Sequence, residues 1–268
     1  MAFQDTVFPS RTTSSTLAAD RHSPEAAQLG GTAEALAATL LSGRSAAMAA
    51  RAAGIVVADS YHVLAVDIAV SAAVGEHHGP GSDRPGTDIA GLIDPGALAH
   101  RTAHGTTVLL PAGTGRVVDT LTDLMAPAVG APVSAVVAEA APADIPQAAE
   151  QVWEVMDVVR RLHLPAGVYR FDDLALEYQL TRPGPGRDQL GSLLDPLDGH
   201  PELTRTLRTH IANNLNRQRT ARTLHIHPNT VDYRLKRIGE LTGLDANEAP
   251  GLWYLRSALV VRGYAEAE

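Results

Sequence analysis

The sequence predicts a multidomain α+β/α chain, in which a small α/β domain precedes an all-α domain. Short apolar, β-branched runs alternate with helical patterns in the middle of the chain, which is typical of α/β domains. Apolar residues recur every three or four positions near the C-terminus, which indicates helices alone. Between the two regions, the segment RPGPGRDQ at residues 182–189 is rich in Pro, Gly and charge and therefore indicates a linker.

Four segments follow from these patterns. Ser, Thr and Pro are frequent near the N-terminus, which predicts a flexible tail over residues 1–31. We expect a helical lead-in and the α/β domain over 32–181, the linker over 182–194 and the all-helical domain over 195–268. The elements predicted within the α/β domain are strands at 61–70, 106–112 and 133–140, helices at 115–129 and 145–164, a loop at 75–96, and a short strand and helix after Pro165.

Composition excludes several classes of site. The chain of 268 residues contains no cysteine, so disulfides, thiolate catalysis and cysteine-bound zinc are absent. No apolar run is long enough to span a bilayer, and the N-terminus lacks the basic and apolar regions of a secretory signal. We therefore expect a cytoplasmic protein.

Positive charge gathers in the last domain of this acidic chain. Residues 201–240 contain eight basic and three acidic residues, a local balance of +5 against a net charge of −8. A basic segment of this kind is the electrostatic footprint of nucleic-acid binding. The alternative is a solvated helical face without a partner, and charge alone does not decide between the two.

The spacing inside the basic segment predicts a helix-turn-helix. RQRTARTL is long enough for about two helical turns, HIH at 225–227 is only a tight turn, and PNTVDYRLKRIGELTG begins a new helix. His227 suits the N-cap, Pro228 suits the first helical position, and Gly243 suits the stop. Helix, three-residue turn, helix is the spacing of this motif. The apolar residues expected to hold its helices together are Leu224, Ile226, Val231 and Leu235.

The other face of the second helix is suited to double-stranded DNA. A recognition helix points its N-terminal residues toward the bases of the major groove, where Asn229 is expected to pair with adenine and Arg234 with guanine. Thr230 and Tyr233 are expected to hold phosphates, together with an arginine of the preceding helix. The predicted DNA-binding residues are Arg217, Arg219, Asn229, Thr230, Asp232, Tyr233, Arg234 and Arg237.

These residues resemble the C-terminal helix-turn-helix of the PucR/CdaR family of bacterial transcription regulators. The motifs T-A-R-x-L, I-H-x-N-T, Y-R-L-x-R-I and E-L-T-G-L carry the resemblance, which spans residues 195–262. It implies a sequence-specific DNA-binding transcription regulator. Because one chain offers one recognition helix, we expect a homodimer or higher homo-oligomer on paired half-sites.

Two residues depart from the family pattern. Asp232 and Pro228 stand where many relatives have a basic residue, which removes contacts to phosphate. The carboxylate of Asp232 is expected either to accept a hydrogen bond from a cytosine N4 amine or to lower nonspecific affinity. Family members often carry a further N-terminal sensory domain, which we expect this chain to lack.

The upstream domain is similar, more loosely, to the degenerate GGDEF-like domain that such regulators carry. The supporting segments are YHVLAVDIA, HGTTVLLPA, VSAVVAEA and LHLPAGVYRFDDLALEYQL. The resemblance implies a domain for dimerisation or signal input. Its expected hairpin, His104–Gly113, contains no acidic residue, and a two-metal cyclase site needs carboxylates. We therefore expect a protein that is not an enzyme.

A nucleotide-binding sensor or enzyme built on the cyclase-like domain is the alternative function. Gly113 and Gly115 precede a predicted helix in the manner of a phosphate cradle, but a lone GxG without a following GK[ST] is weak. His77 and His78, with nearby aspartates, match no common metal-ligand spacing. We therefore expect neither a metal nor a cofactor.

Two residue pairs receive structural roles. Asp172 and Asp173 are adjacent carboxylates, which would point to opposite faces of a strand, so capping of the next helix is expected. Trp153 and Trp253 lie in apolar helical runs and are expected in the core.

Overall fold

The computed structural model describes residues 24–68, 89–102, 104–114 and 120–267. Its helices are α1 (Pro24–Leu41), α2 (Ala47–Ala53), α3 (Ile89–Ile93), α4 (Leu121–Val129), α5 (Ile145–Arg161), α6 (Phe171–Thr181), α7 (Pro185–Ser192), α8 (Pro201–Ala212), α9 (Arg217–Leu224), α10 (Pro228–Thr242) and α11 (Ala249–Glu266). Its strands are β1 (Tyr61–Ile68), β2 (Leu98–Thr102), β3 (Gly105–Pro111), β4 (Val133–Ala140) and β5 (Val168–Arg170).

The five strands form one sheet in the order β2-β3-β1-β4-β5. Strand β1 pairs antiparallel with both β3 and β4, β2 pairs antiparallel with β3, and β5 adds to β4 in parallel. As a result, β1 and β2 run in the same direction with β3 between them, and β3 and β4 run in the same direction with β1 between them. This interleaving is the split βαβ arrangement.

Side chains of the central strand are buried on both faces of the sheet. Val63 and Ala65 join the core under α1 and α5, whereas Leu64 and Val66 join the core under α3 and α4. A strand covered on both faces has no polar side to alternate with. For this reason the centre of β1 is a continuous run of apolar residues, and that run is sufficient to predict the strand from the sequence.

Most predicted elements of the α/β domain are present, and the mixed α/β domain followed by a helical domain is confirmed. Strand β4 has the predicted bounds, and β3 and α5 differ from prediction by one to three residues at their ends. Strand β1 follows the prediction from Tyr61 to Ile68, and the last two residues predicted for it lie outside the described residues. Asp173 caps α6 as expected, since its carboxylate accepts a hydrogen bond of 2.8 Å from the Arg170 N–H. Residues 69–88, with His77, His78, Asp83 and Asp88, lie outside the described residues, as does Gly115.

Strand β2 and the first turns of α1 differ from the sequence-based expectations. The predicted hairpin His104–Gly113 contains only the second strand of the real one, whose first strand is β2 at Leu98–Thr102. The sequence LAHRT has no strand-like alternation, and it becomes a strand by pairing with the strongly β-forming β3. Helix α1 begins at Pro24, so residues 24–31 of the predicted tail are helical.

The predicted linker also contains a helix. Pro185 starts α7, as its fixed φ angle and missing N–H allow at a first helical position. The helix packs against α11, and a Cβ at Gly191 would lie 3.4 Å from Val261 Cγ1. The segment between the two domains is therefore ordered by contact with the last helix. The predicted domain boundaries remain predictions.

Helix α11 joins the two domains. Leu255 and Ala258 are buried in the helical core with residues of α8 and α10. Near the end of the same helix, the Tyr264 hydroxyl donates a hydrogen bond to Asp157 of α5, and the Arg161 guanidinium lies 4.7 Å from the Tyr264 ring centroid. Burial and this hydrogen bond raise the pKa of Tyr264 to about 12.

Of the two tryptophans, only Trp153 is close to the predicted role. This residue of α5 is half-buried and packs against the core between the sheet and helices α1 and α5. Its Nε1–H donates a 2.8 Å hydrogen bond to Thr107 Oγ1. Trp253 is 72% exposed on α11, so its prediction as a core residue is wrong. The buried stripe of α11 runs through Gly251, Leu255 and Ala258, and position 253 lies off that stripe.

The tip of the β2–β3 hairpin is fastened to α5. Arg160 pairs with Asp67 at the end of β1 over 2.6 Å and also donates a 3.0 Å hydrogen bond to the His104 carbonyl. Gly105 follows in a conformation with φ of +135°, beneath the Trp153 ring. A Cβ there would lie 2.5 Å from Trp153 Cη2 and 3.2 Å from the Val66 carbonyl oxygen. Only glycine fits this position without displacement.

We expect Gly105→Ala to destabilise the α/β domain by about 2 kcal/mol or more, because it adds backbone strain to overpacking. Urea denaturation of purified protein measures the change. Gly167→Ala is the matched control, since a Cβ at Gly167 meets nothing within 4 Å and its backbone is not left-handed. Equal losses in the two variants would contradict the proposed tight fit.

Candidate nucleic-acid interface

Helices α9 and α10 meet at the three-residue turn 225–227. The Asn216 side chain caps α9 by accepting a 2.9 Å hydrogen bond from the Arg219 N–H. His225 takes the left-handed conformation, with φ 54° and ψ 43°, and reverses the chain. His227 caps α10 through Nδ1, which accepts from the Asn229 N–H at 3.2 Å. The predicted cap at His227, start at Pro228 and stop at Gly243 are all confirmed.

An apolar seam on α10 fixes the orientation of this helix. Val231, Leu235 and Ile238 are buried at i, i+4 and i+7 and pack in one core with Leu203, Leu207 and Ala221. Ile226 of the turn is partly buried against the same core, whereas Leu224 is of intermediate exposure. Side chains that do not belong to the seam must point to solvent or to its borders.

A buried polar contact joins α8 to α9 beside the seam. His210 is 2% exposed, and its Nδ1 lies 3.2 Å from Thr220 Oγ1. The Thr220 hydroxyl also donates to the Asn216 carbonyl at 2.9 Å, so its proton is engaged and the imidazole nitrogen is left to donate. Burial lowers the pKa of His210 from its ordinary value of 6.5, opposed in part by the nearby charge of Asp232.

The exposed face of α10 contains most of the predicted DNA-binding residues. Asn229 and Tyr233 point to solvent one turn apart, Tyr233 with 68% of its surface exposed, and Thr230 is half-buried beside them. Arg219 is exposed on α9. Arg237 is exposed at the far end of the face, where it pairs with Glu240 over 3.0 Å.

Arg217 and Asp232 form an ion pair with each other. Arg217 Nη1 lies 2.6 Å from Asp232 Oδ2, which ties the start of α9 to the first turns of α10. The sequence predicts a free phosphate-binding arginine and a free carboxylate at these positions. The structure instead brings the two side chains together, so each neutralises part of the other's field at the face.

Arg234 also differs from its predicted placement on the outer face. Its Nη1 donates a 3.1 Å hydrogen bond to Thr206 Oγ1 on α8, and the side chain is only partly exposed. Position 234 follows Val231 by three residues and precedes Leu235, so it lies at the border of the buried seam. The guanidinium therefore contacts α8, and pairing with guanine would require a different rotamer.

Two further cations, which are not among the residues predicted from the sequence, border this face. Arg222 on α9 and Lys236 on α10 are exposed. Arg222 follows Arg219 by three residues, which places both on one side of α9. Neither has an ion pair within the part of the chain that the structure describes. Helical spacing from Arg219 is the signal that identifies Arg222 from sequence.

Together, the short α9, the three-residue turn and the seam of α10 define a helix-turn-helix, a motif typical of DNA-binding domains. Residues 203–261 match the PucR C-terminal helix-turn-helix domain. The match lies in the part of the chain where the motifs of the basic segment predict such a domain.

Two curated relatives are similar to part of the chain. An uncharacterized protein, YsfB, from Bacillus subtilis is 40% identical over 79 residues, which is 27% of this chain and 20% of the relative. The carbohydrate diacid regulator of Escherichia coli is 46% identical over 52 residues, 19% of this chain and 14% of the regulator. This chain thus covers no more than about a fifth of either relative.

One solved structure aligns with most of the chain. It is the regulator of polyketide synthase expression from Bifidobacterium adolescentis, with 19% identity and coverage of 88% of this chain and 96% of that one. The TM-score of this alignment is 0.33.

The lowered pKa of His210 predicts acid destabilisation of the helical domain. Because the unfolded chain binds a proton near pH 6.5 and the folded chain binds it only at lower pH, stability is full above about pH 6.5 and falls below it. Denaturant unfolding followed between pH 7.5 and 5 measures the loss. We expect His210→Gln, which can still hydrogen-bond Thr220, to lose less stability over that range. An unchanged pH profile would show that His210 is not responsible.

Proposed function

We propose that this protein is a sequence-specific DNA-binding transcription regulator whose helix α10 reads the major groove. One observation carries the proposal: a capped helix-turn-helix that matches the PucR domain presents an exposed Asn229 and Tyr233 on α10, with Arg219 and Arg222 exposed on α9. A solvated face without a partner accounts for the charge but not for this combination of turn, caps and seam.

Docking follows from the direction of α10. A recognition helix inserts its N-terminal turns, so Asn229 and Tyr233 face base edges, with adenine as the partner of the Asn229 amide. Arg219 and Arg222 on α9 lie where the first helix of the motif crosses the backbone, and they contact phosphates there. The Thr230 hydroxyl adds a neutral phosphate contact.

The ion pair between Arg217 and Asp232 moderates this electrostatic attraction. The Arg217 guanidinium lies 2.6 Å from the Asp232 carboxylate, and this ion pair must break before Arg217 can pair with a phosphate. Both side chains are about half exposed, so the pair can exchange partners in solution. Asp232 therefore lowers affinity for any sequence while leaving base contacts from Asn229 intact. This property favours discrimination among sites, since nonspecific binding depends on charge.

The α/β domain serves dimerisation or signal input in this proposal. Its split βαβ sheet and its β2–β3 hairpin support a GGDEF-like ancestry, since that sheet order brings a hairpin beside the end of the central strand. The hairpin sequence contains no acidic residue, and the Asp67 carboxylate at the end of β1 is paired with Arg160. A two-metal cyclase site needs free carboxylates, so we propose a regulator without catalytic activity.

A dimer is part of the proposal because one chain supplies one recognition helix. Two helices on paired half-sites, about one helical turn apart, would read a palindromic operator. A protein that binds the chromosome shares its compartment, which supports the cytoplasmic location expected from the sequence. Among the described residues, no helix is long and apolar enough to cross a membrane.

Selection from a random double-stranded pool with the purified chain yields the DNA for the first test. Arg219→Gln is expected to weaken binding uniformly across sequences and to reduce the slope of log K against log salt by about one, because one phosphate contact is lost. Fluorescence anisotropy at several salt concentrations measures both. Arg44→Gln, an exposed arginine of the α/β domain, is the control. Failure of the unaltered chain to bind any DNA in a salt-dependent way would refute the function.

Neutralising the carboxylate tests the role of the ion pair. Asp232→Asn frees Arg217 and is expected to raise nonspecific affinity about three- to tenfold and to steepen the salt slope by about one. The double variant with Arg217→Gln should lose that gain, since no cation is then released. If Asp232→Asn tightens binding equally with and without Arg217, the effect comes from the lost carboxylate charge alone.

A further inference from the structure

A cleft lies where the helical domain meets the α/β domain. One wall is formed by the end of α5 and by α6, the other by α8 and the C-terminal half of α11. Its volume is about 530 Å³, within the usual range for sites that hold small organic molecules, and such sites favour domain interfaces. The DNA-binding face, with Asn229 and Tyr233 on α10, does not contribute to this cleft.

The lining combines an apolar surface with cations at its edge. Leu162, Leu164, Ile211 and Val260 are partly exposed aliphatic side chains from both domains, and Gly263 leaves open space on α11. A Cβ at Gly263 would make only an ordinary contact of 3.7 Å with Leu162 Cδ2. The apolar part of the cleft therefore has room for an aliphatic body.

The charged groups differ in how far they are already paired. Arg161 pairs with Asp157 at 3.0 Å and stacks on Tyr264, and Arg208 pairs with Glu266 at 3.2 Å. Arg256 on α11 is exposed and has no ion pair among the described residues. Glu177 and Glu266 are the carboxylates of the lining, and His163 also borders it. Arg256 thus leaves one positive charge available beside the apolar wall, and Glu177, which also has no ion pair among the described residues, leaves one negative charge on the α6 side.

From this arrangement we propose that the cleft binds a small carboxylic acid with an aliphatic body. The aliphatic part lies on Leu162, Ile211 and Val260, and the carboxylate pairs with Arg256. A bidentate guanidinium–carboxylate contact supplies orientation as well as affinity. The bound acid contacts both domains at once and so stabilises their present arrangement. This binding is measured without DNA and is independent of the proposed regulatory function.

Octanoate and its neutral isostere octanamide are the probes for the test, applied by isothermal titration calorimetry to the full chain. We expect octanoate to bind about tenfold more tightly than octanamide, because only the acid forms the charge-assisted contact. Arg256→Gln should remove this preference, and Gly263→Leu should abolish binding of both probes by filling the cleft. Arg44→Gln, far along the chain and outside the lining, should bind as the unaltered chain does.

Thermal denaturation of each variant shows whether it is folded, and Gly263→Leu is expected to fold because its new side chain occupies open space in a helix. Three results would overturn the proposal: no binding of octanoate at millimolar concentration, equal affinity for acid and amide, or octanoate affinity unchanged in folded Arg256→Gln protein. Binding retained in folded Gly263→Leu protein would place the probe elsewhere and would overturn it as well.

Discussion

The seam of Val231, Leu235 and Ile238 on α10 is the contact on which the proposed DNA-binding face depends. Once these three side chains are buried against α8 and α9, the rotation of α10 about its own axis is fixed. Asn229 and Tyr233 are then outward, and Arg234 is brought to the border of the seam within reach of Thr206. The same burial explains why Arg234 contacts α8 while Tyr233 and Lys236 of the same helix face solvent.

Helix α11 extends this rigid unit to the rest of the molecule. Leu255 and Ala258 anchor it in the helical core, and its last turns reach α5 through Tyr264 and Asp157. The helix therefore contacts both the helix-turn-helix and the sheet domain. The segment predicted as a linker becomes the helix α7 because α11 provides an apolar surface for it.

In the proposed DNA-binding face, the groups that attract DNA differ from the ion pair that favours discrimination among DNA sites. Arg219 and Arg222 extend from α9 as solvated cations, whereas Arg217 is held by Asp232. In the sheet domain, Arg160 likewise pairs with Asp67 at the end of β1 and holds the tip of the hairpin through the His104 carbonyl. In both domains, an ion pair between neighbouring elements decides which charged groups remain available to a ligand.

The sequence by itself determined the helix-turn-helix and most strands of the sheet. Those features depend on local rules: caps at His227, the helix start at Pro228, the stop at Gly243, and apolar runs long enough to be buried on both faces of a sheet. Only the tertiary structure decided β2, the exposure of Trp253, and the partners of Arg217 and Arg234. Each of these depends on residues distant in sequence. Strand β2 forms because β3 pairs with it, and Arg234 turns inward because Thr206 of α8 accepts its hydrogen bond. Periodicity along one element cannot specify a contact supplied by another.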